Sequence, residues 1–580
     1  MISIMYNQEQ AWERYASRCN MISTLCDKEG TMGSIDFMNK VYRGVLDQWA
    51  FRSYRGPGNL GTVEDLLRRY EKLLEEYPPK ELEALGGIPD DMIKKMGGMG
   101  LFGLSVPEAY GGLGLDLWDQ LKIVEAVAGL DMSAALAFLA HLLIGIKGIE
   151  LFGTEGQKQR YLVPAAAGGM IFSYALTEPK VGSDARHIET KAELSGDGSH
   201  YVLNGVKTYI TNANYAQGMT VFAQLDPEHP GFMGAFIIET AWDGIIIGAD
   251  MPKMGLKSSS TAMVRFENVR VPVENLLGKP GYGYTIAMTV LNYGRLGLMA
   301  ASSGVTKRSY HDMRARAQSR IQFGVPIETF PLIQEKIVRA RVHGLVMEAM
   351  NYFSAGLLEH DTEHNPVIET SHCKLFGTTK AWETLYDALQ VAGGSGFIST
   401  QPYEKRMRDF RVTTIFEGTT EIHSIYPSLF AIGRIAKEFK TRQRFDKWMY
   451  LVKEFVMSFA PMKWELRFDD RTLNKAVRLA QSHARTIRRM LIFGLIEYGK
   501  KIGNEEFFLR RISTLSMYCF GLLSVLAKIS ADRSAGRRSA EDIRLFSYFI
   551  EEAQTVRSTN RHFFDAKCER LISDIFGALS

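Results

Sequence analysis

Three polar, glycine-containing segments carry the residue types that could do chemistry. In Ile415-Phe416-Glu417-Gly418-Thr419-Thr420-Glu421, an acid sits between an apolar pair and a glycine at a loop-to-helix junction. Apolar surroundings disfavour a carboxylate and raise its pKa, which suits a general base working near neutrality. The same pattern also fits an ordinary capping acid, with Thr419 as the N-cap. Tyr174 to Asp184 ends an extended run in Pro and Gly-Ser-Asp, presenting hydroxyls and free backbone N–H groups to a polar ligand; a plain surface turn reads the same way. Gln390-Val-Ala-Gly393-Gly394-Ser395-Gly396-Phe397 lets backbone approach a phosphate or a ring, or simply turns between helices. It follows a helical pattern, not a strand, so it is no Rossmann fingerprint.

The elements that must position these segments follow from periodicity. Helical spacing dominates residues 62–172, with Leu66, Leu67, Tyr70, Leu73 and Leu74 on one side of the first helix. Residues 173–285 read as β: Tyr201–Leu203, an Asn204-Gly205 type I′ hairpin turn, Val206–Thr211, then strands near 219–224, 233–239, 244–247 and 262–269. Long amphipathic helices are predicted at 284–313, 331–358, 369–391 and 419–436, with short connections that suit an antiparallel bundle. In a last helical block, Leu473, Ala476, Val477, Ala480, Ala484, Ile487, Met490 and Leu491 share a face. The expected class is therefore α+β, mostly α: an N-terminal helical domain (61–172), a small antiparallel β-barrel (173–285), a four-helix-bundle domain (286–436) and an additional C-terminal helical domain (437–580), after an N-terminal extension (1–60).

Composition narrows the function classes. With 580 residues, 46% hydrophobic and 23% charged, the chain can fill several cores and is not broadly disordered. Five scattered cysteines fit reduced thiols. No secretory signal is read at the N-terminus. The apolar run from Met132 to Ile146 is too short to span a bilayer and reads as a buried core helix, with His141 as a core histidine. His360, His364, His372 and Cys373 lie in a polar connection that reads as a solvated loop, so no metal site is expected. The 26 methionines form no stripe.

In order and spacing, seven motifs reverse the separate readings: ALTEPKVGSD (175–184), LNGVKTYITNA (203–213), KMGLKSSSTAMVRFENVRVP (253–272), LNYGRLG (291–297), RIQFGVPI (320–327), QVAGGSGF (390–397) and IFEGTTEI (415–422). Over residues 60–436 the chain resembles the acyl-CoA dehydrogenase family, and most nearly its very-long-chain branch, which carries an extra helical C-terminal domain. The resemblance implies FAD and α,β-dehydrogenation of a medium-to-long-chain acyl-CoA to the trans-2-enoyl-CoA, as in fatty-acid β-oxidation. Glu417 matches the general base; the alternative base position of some members is Gly294 here. The thioester carbonyl would be held by the base's backbone N–H and a flavin ribityl hydroxyl, bonds that strengthen as enolate charge develops. Flavin contacts carry over to Tyr174, Leu176, Thr177, Ser183, Tyr209, Ile210, Thr211, Thr419 and Glu421. Arg320 and Gln322 match the pyrophosphate grip, and Gln390, Gly393 and Gly394 the adenosine end, on a neighbouring subunit's FAD; a homodimer follows. Ser183, Arg295 and Gly418 match positions near the substrate.

Some positions depart from the family. Ser424 stands where many members have Arg, Leu429 where a residue often meets the CoA adenosine, Pro331 at a common flavin-contacting Gln, and Thr400 at a usual acid or amide. Ser424 and Leu429 favour a carrier-protein-bound or unusual acyl thioester as the second reading. A scaffold or assembly protein on the same fold is a third, opposed by retention of Glu417. An electron-transferring flavoprotein or similar acceptor is the implied partner. The implied setting is bacterial cytoplasm or, in a eukaryote, the mitochondrial matrix.

The formal net charge of +4 conceals a division. Residues 431–580 carry +11 and residues 1–430 carry −7. No nucleic-acid motif accompanies the basic block. Its Trp448, Leu451, Val452, Phe455, Val456 and Phe459 share a helical face ringed by Lys440, Arg442, Arg444, Lys447 and Lys453, a pattern suited either to an anionic membrane surface or to packing inside the bundle.

Overall fold

The computed structural model describes residues 37–360, 366–440, 444–459, 462, 464–537 and 539–579. Helices α1 (Leu60–Glu76), α2 (Leu117–Leu130), α3 (Met132–Ala140), α4 (Lys147–Phe152) and α5 (Glu155–Ala166) come first. Strands β1 (Phe172–Ala175), β2 (Lys191–Leu194), β3 (His200–Thr211), β4 (Gly218–Gln224), β5 (Met233–Glu239), β6 (Ile245–Ile247), β7 (Thr261–Pro272) and β8 (Leu276–Leu277) follow. The long α6 (Gly283–Ser319) leads to the hairpin β9 (Ile321–Gln322) and β10 (Val325–Pro326). Next are α7 (Pro331–His360), α8 (Val367–Ala392), α9 (Tyr403–Phe410) and α10 (Thr420–Lys440). The last five are α11 (Arg444–Phe459), α12 (Arg471–Glu497), α13 (Glu506–Ser534), α14 (Ala540–Asn560) and α15 (Lys567–Leu579).

Two compact units divide the chain. One comprises Gly56–Gly344 and Gly377–Thr419, the other Met1–Arg55, Leu345–Phe376 and Thr420–Ser580. In the first, the sheet runs β6-β7-β3-β2-β4-β5-β8, with β1 paired to β4. The expected small antiparallel β-barrel is instead a mixed sheet, since β1 and β2 both pair parallel to β4, and its end strands β6 and β8 are not joined. Turn signals mark where strands end; they do not say which distant strands pair.

The expected Asn204-Gly205 hairpin is also corrected. Both residues lie inside the continuous β3, paired along β7 with a register shift between Leu203 and Gly205. Gly205 has φ +152°, and a Cβ there would run into Thr190. The glycine serves close approach of two backbones, a bulge rather than a turn.

Helix α2 lies against α6 at a point where only glycine fits. A Cβ on Gly129 would come within 3.0 Å of the Gly304 carbonyl oxygen. Beside that crossing Glu125 accepts from Lys122 at 2.6 Å, Ser303 at 2.7 Å and Lys307 at 2.9 Å. Burial opposes ionisation of Glu125, but the two ammonium groups prevail and hold its pKa down at about 2.

The apolar run beginning at Met132 is core, as expected. It passes through a π-helical turn, His141–Gly145. There His141 is buried, its Nδ1 accepting from the Phe172 N–H at 2.9 Å, and burial lowers its pKa to about 3. Met132–Phe152 and Glu506–Ser534 are long and apolar enough to cross a membrane, but 78% and 89% of their respective apolar windows are buried within the protein.

In the second unit the predicted α12 face is buried throughout, from Leu473 to Leu491. The solvated-loop expectation fails for His372 and Cys373, which are fully buried in α8. Their polarity is absorbed locally: Ser516 Oγ lies 2.7 Å from His372 Nε2, and Cys373 lies 3.3 Å from Ser354 Oγ. His364 and the His360 side chain fall outside the described residues. Among those described, no cluster of three or more His, Cys, Asp or Glu could hold a metal.

Candidate active site

Glu417 is placed by an unusual backbone. It has φ +54° and Gly418 has φ +98°, so two successive left-handed residues turn the chain back just before α10. The half-buried carboxylate is delivered onto α6 at Gly294. A Cβ added to Gly294 would lie 2.6 Å from Glu417 Oε2 and 2.9 Å from its Oε1. Gly294 is thus the notch that receives the acid.

Two other expected residues share this neighbourhood. Arg295, the next residue of α6, is buried and donates from Nη1 to Asn292 Oδ1 at 3.1 Å. Tyr174 ends its ring at α6 too, its hydroxyl donating to the Ala287 carbonyl at 3.2 Å. Burial drives the Tyr174 phenol well above its ordinary pKa; Glu417's charge adds to this and Arg295 opposes it.

The first two glycine-and-hydroxyl motifs meet. The Thr208 N–H donates to the Thr177 carbonyl at 2.9 Å. Lys207 Nζ donates to the Leu176 carbonyl at 3.0 Å and to Glu178 at 2.7 Å, with both side chains buried. Burial alone would raise Glu178, but Lys207 and the N–H groups of Glu189 and Thr190 hold its pKa below the usual carboxylate range. Sequence reasoning missed this pair; a charge in each of two adjoining motifs was its only signal. A second shift in the β3–β7 register falls between Lys207 and Ile210. At that bulge Tyr209 adopts φ +58° and leaves its ring 67% exposed, whereas Ile210 is buried and Thr211 half-buried. Ser183 stands on an exposed loop beyond the Glu178–Val181 turn.

The third group gathers at the far end of α6. Phe323 and Gly324, both at positive φ, turn β9 into β10, so Arg320 and Gln322 stand on a short exposed hairpin. Arg316 donates to the Ala392 carbonyl at 3.4 Å, which brings the end of α8, with exposed Gln390, Gly393 and Gly394, to the same place. Ile327, Met313, Ala388 and Val391 share one apolar cluster beneath. Along α6, Arg320 lies roughly 39 Å from Gly294 at 1.5 Å per residue. One chain therefore does not gather both groups around one point. Thr419 is half-buried just before α10, and Glu421 is exposed in its first turn.

A buried triad ties the segment before Glu417 to the rest of its unit. Lys405 donates to Asp131 and to Asp409, each at 2.6 Å, and Asp409 accepts from the Leu256 N–H at 2.7 Å. Arg406 pairs with Asp312 of α6 at 2.8 Å.

Residues 64–169, 173–269 and 281–425 match the acyl-CoA dehydrogenase N-terminal, middle and C-terminal domains. The chain is 33% identical over 520 residues to the human very long-chain specific acyl-CoA dehydrogenase, covering 85% of this chain and 78% of that one. An acyl-CoA dehydrogenase from Bacillus anthracis, solved with FAD, superposes with TM-score 0.79 at 29% identity, over 93% of this chain and 94% of that one. A prolyl acyl carrier protein oxidase, AnaB, superposes with TM-score 0.61 at 26% identity, over 64% of this chain and 98% of that one. By its domains, its sequence identity and its fold, the chain belongs to the acyl-CoA dehydrogenase family of FAD-dependent oxidoreductases.

Proposed function

We propose that the protein oxidises the Cα–Cβ bond of a medium-to-long saturated acyl-CoA, with Glu417 as the base that removes the α-proton. The observation that carries this reading is the Glu417 carboxylate seated at the Gly294 notch, 2.6 Å from where a side chain would begin. The donor set suits FAD: Thr177, Ser183 and Thr211 offer hydroxyls, and the exposed Tyr209 ring offers an aromatic face beside them. Bound flavin supplies the acceptor for the β-hydrogen and its electron pair. The chain's own work is to hold the α-carbon at Glu417, receive its proton, and fix the Leu176–Thr177 backbone through Lys207. An electron-transferring flavoprotein or similar acceptor then reoxidises the enzyme.

Glu417→Gln tests the assignment. FAD content stays at the wild-type level while bleaching of flavin absorbance by acyl-CoA slows by roughly 10²- to 10⁴-fold. Unchanged bleaching would remove Glu417 from its role, and a colourless wild-type protein would remove the enzyme reading itself.

A carrier-bound substrate is the second reading. Ser424 spends its hydroxyl inside α10, donating to the Thr420 carbonyl at 2.7 Å, and offers no cation where many relatives have Arg. The likeness to AnaB supports the same reading. Turnover of acyl-carrier but not acyl-CoA thioesters would decide for it.

The separation between Arg320 and Gly294 along α6 supports a homodimer in which the β9–β10 hairpin and the end of α8 complete a second copy's cofactor site. Val452, Phe455, Val456 and Phe459 of α11 are 40–60% exposed, which supports peripheral contact of the basic C-terminal block with an anionic membrane.

A further inference from the structure

The geometry points to Leu143 as the residue that sets acyl-chain length at this site, an inference that rests on the function proposed for Glu417. Gly294 and Gly297 are neighbours on one face of α6, separated by about 4.5 Å of helix rise. The first notch takes the Glu417 carboxylate. The second is filled: a Cβ on Gly297 would collide with Cδ1 of Leu143. Leu143 comes from the π-helical turn His141–Gly145 and is 4% exposed.

The surroundings decide which way an apolar tail runs from Glu417. Toward the start of α6 the ground is polar, with the Arg295–Asn292 pair and the Tyr174 hydroxyl at the Ala287 carbonyl. On the Gly297 side the ground is apolar and buried, since Leu143 is what meets that glycine. A substrate whose reacting carbon sits at Glu417 places its tail on the Leu143 side, where burial is favourable. Leu143 stands about one helical turn along that path. Farther along, α2 closes on α6 at Gly129 and Gly304. Trimming Leu143 opens the Gly297 notch, and the space released accepts additional methylenes.

The test is a chain-length series of saturated acyl-CoA thioesters from C4 upward, measured on FAD-loaded wild type, Leu143→Ala, Leu143→Val and Leu143→Met. Leu143→Ala is expected to move the kcat/KM optimum toward longer chains by about two methylenes, each newly buried methylene being worth up to about fourfold. Leu143→Val should move the optimum in the same direction by less, and Leu143→Met, which conserves volume, should leave it in place. If Leu143→Ala fails to hold FAD, the milder Val variant carries the test. An unchanged optimum in an FAD-loaded Ala or Val variant overturns the inference. A wild type that oxidises no acyl-CoA of any length overturns the underlying reaction instead, and the inference with it.

Discussion

The base proposed above, Glu417, needs a neighbour small enough to make way for its carboxylate, and Gly294 is that neighbour. Gly294→Ala is expected to displace the carboxylate and lower kcat/KM by about 10²-fold, the cost of a misplaced catalytic group, with FAD content unchanged. Steady-state rates alongside the flavin spectrum check it. Taken alone, Phe-Glu-Gly at a loop-to-helix junction reads better as an ordinary capping acid, and only the family resemblance singled out Glu417. Its receiving notch was not legible from spacing, since Gly294 lies 123 residues earlier and only the family resemblance connected them. Leu143 was hidden more completely. It sits in a run where nearly every residue is apolar, and no periodicity says which leucine meets a glycine on another helix.

At the scale of elements, helices were readable and strand partners were not. The predicted segments 284–313, 331–358, 369–391 and 419–436 became α6, α7, α8 and α10 with shifted ends, because side-chain spacing encodes a buried face directly. Asn204-Gly205 misled because the pair is a local turn signal overridden by a tertiary demand, the approach of β3 to Thr190. The α2–α6 junction yields a pH prediction. Glu125 has a pKa of about 2 when folded, against about 4.5 for an ordinary Glu, so its contribution is complete above pH 4.5 and fades as pH falls toward 2. That contribution is on the order of 3 kcal/mol. In denaturant titrations, Glu125→Gln should lie below wild type by that order at pH 6, and the gap should close between pH 4.5 and pH 2. A gap that does not vary with pH would remove the charge argument.

On the scale of the molecule, the near-neutral total is a sum of opposites, and its basic part carries an uncovered apolar helix face. Arg488 pairs with Glu454 at 3.0 Å and Arg489 donates to the Ser458 carbonyl at 3.1 Å, so α11 is fastened to α12 by one side while Phe455, Val456 and Phe459 face outward. Vesicles rich in anionic phospholipid should therefore carry the protein down in sedimentation, neutral vesicles far less, and added salt should weaken the effect. Val456→Asp with Phe459→Asp should cut binding at least about tenfold without altering turnover. Equal sedimentation of that double variant would remove α11 from the contact. The two-unit division has a consequence for biosynthesis. The unit that holds Gly294 and Glu417 leaves the chain order at Gly344, resumes at Gly377 and ends at Thr419, two residues after Glu417. A ribosome must therefore deliver the intervening segment, which belongs to the other unit, before the first can close. Glu417, the base proposed above, is among the last residues that unit receives, so a nascent chain cannot seat it at Gly294 until nearly three quarters of the protein has been made.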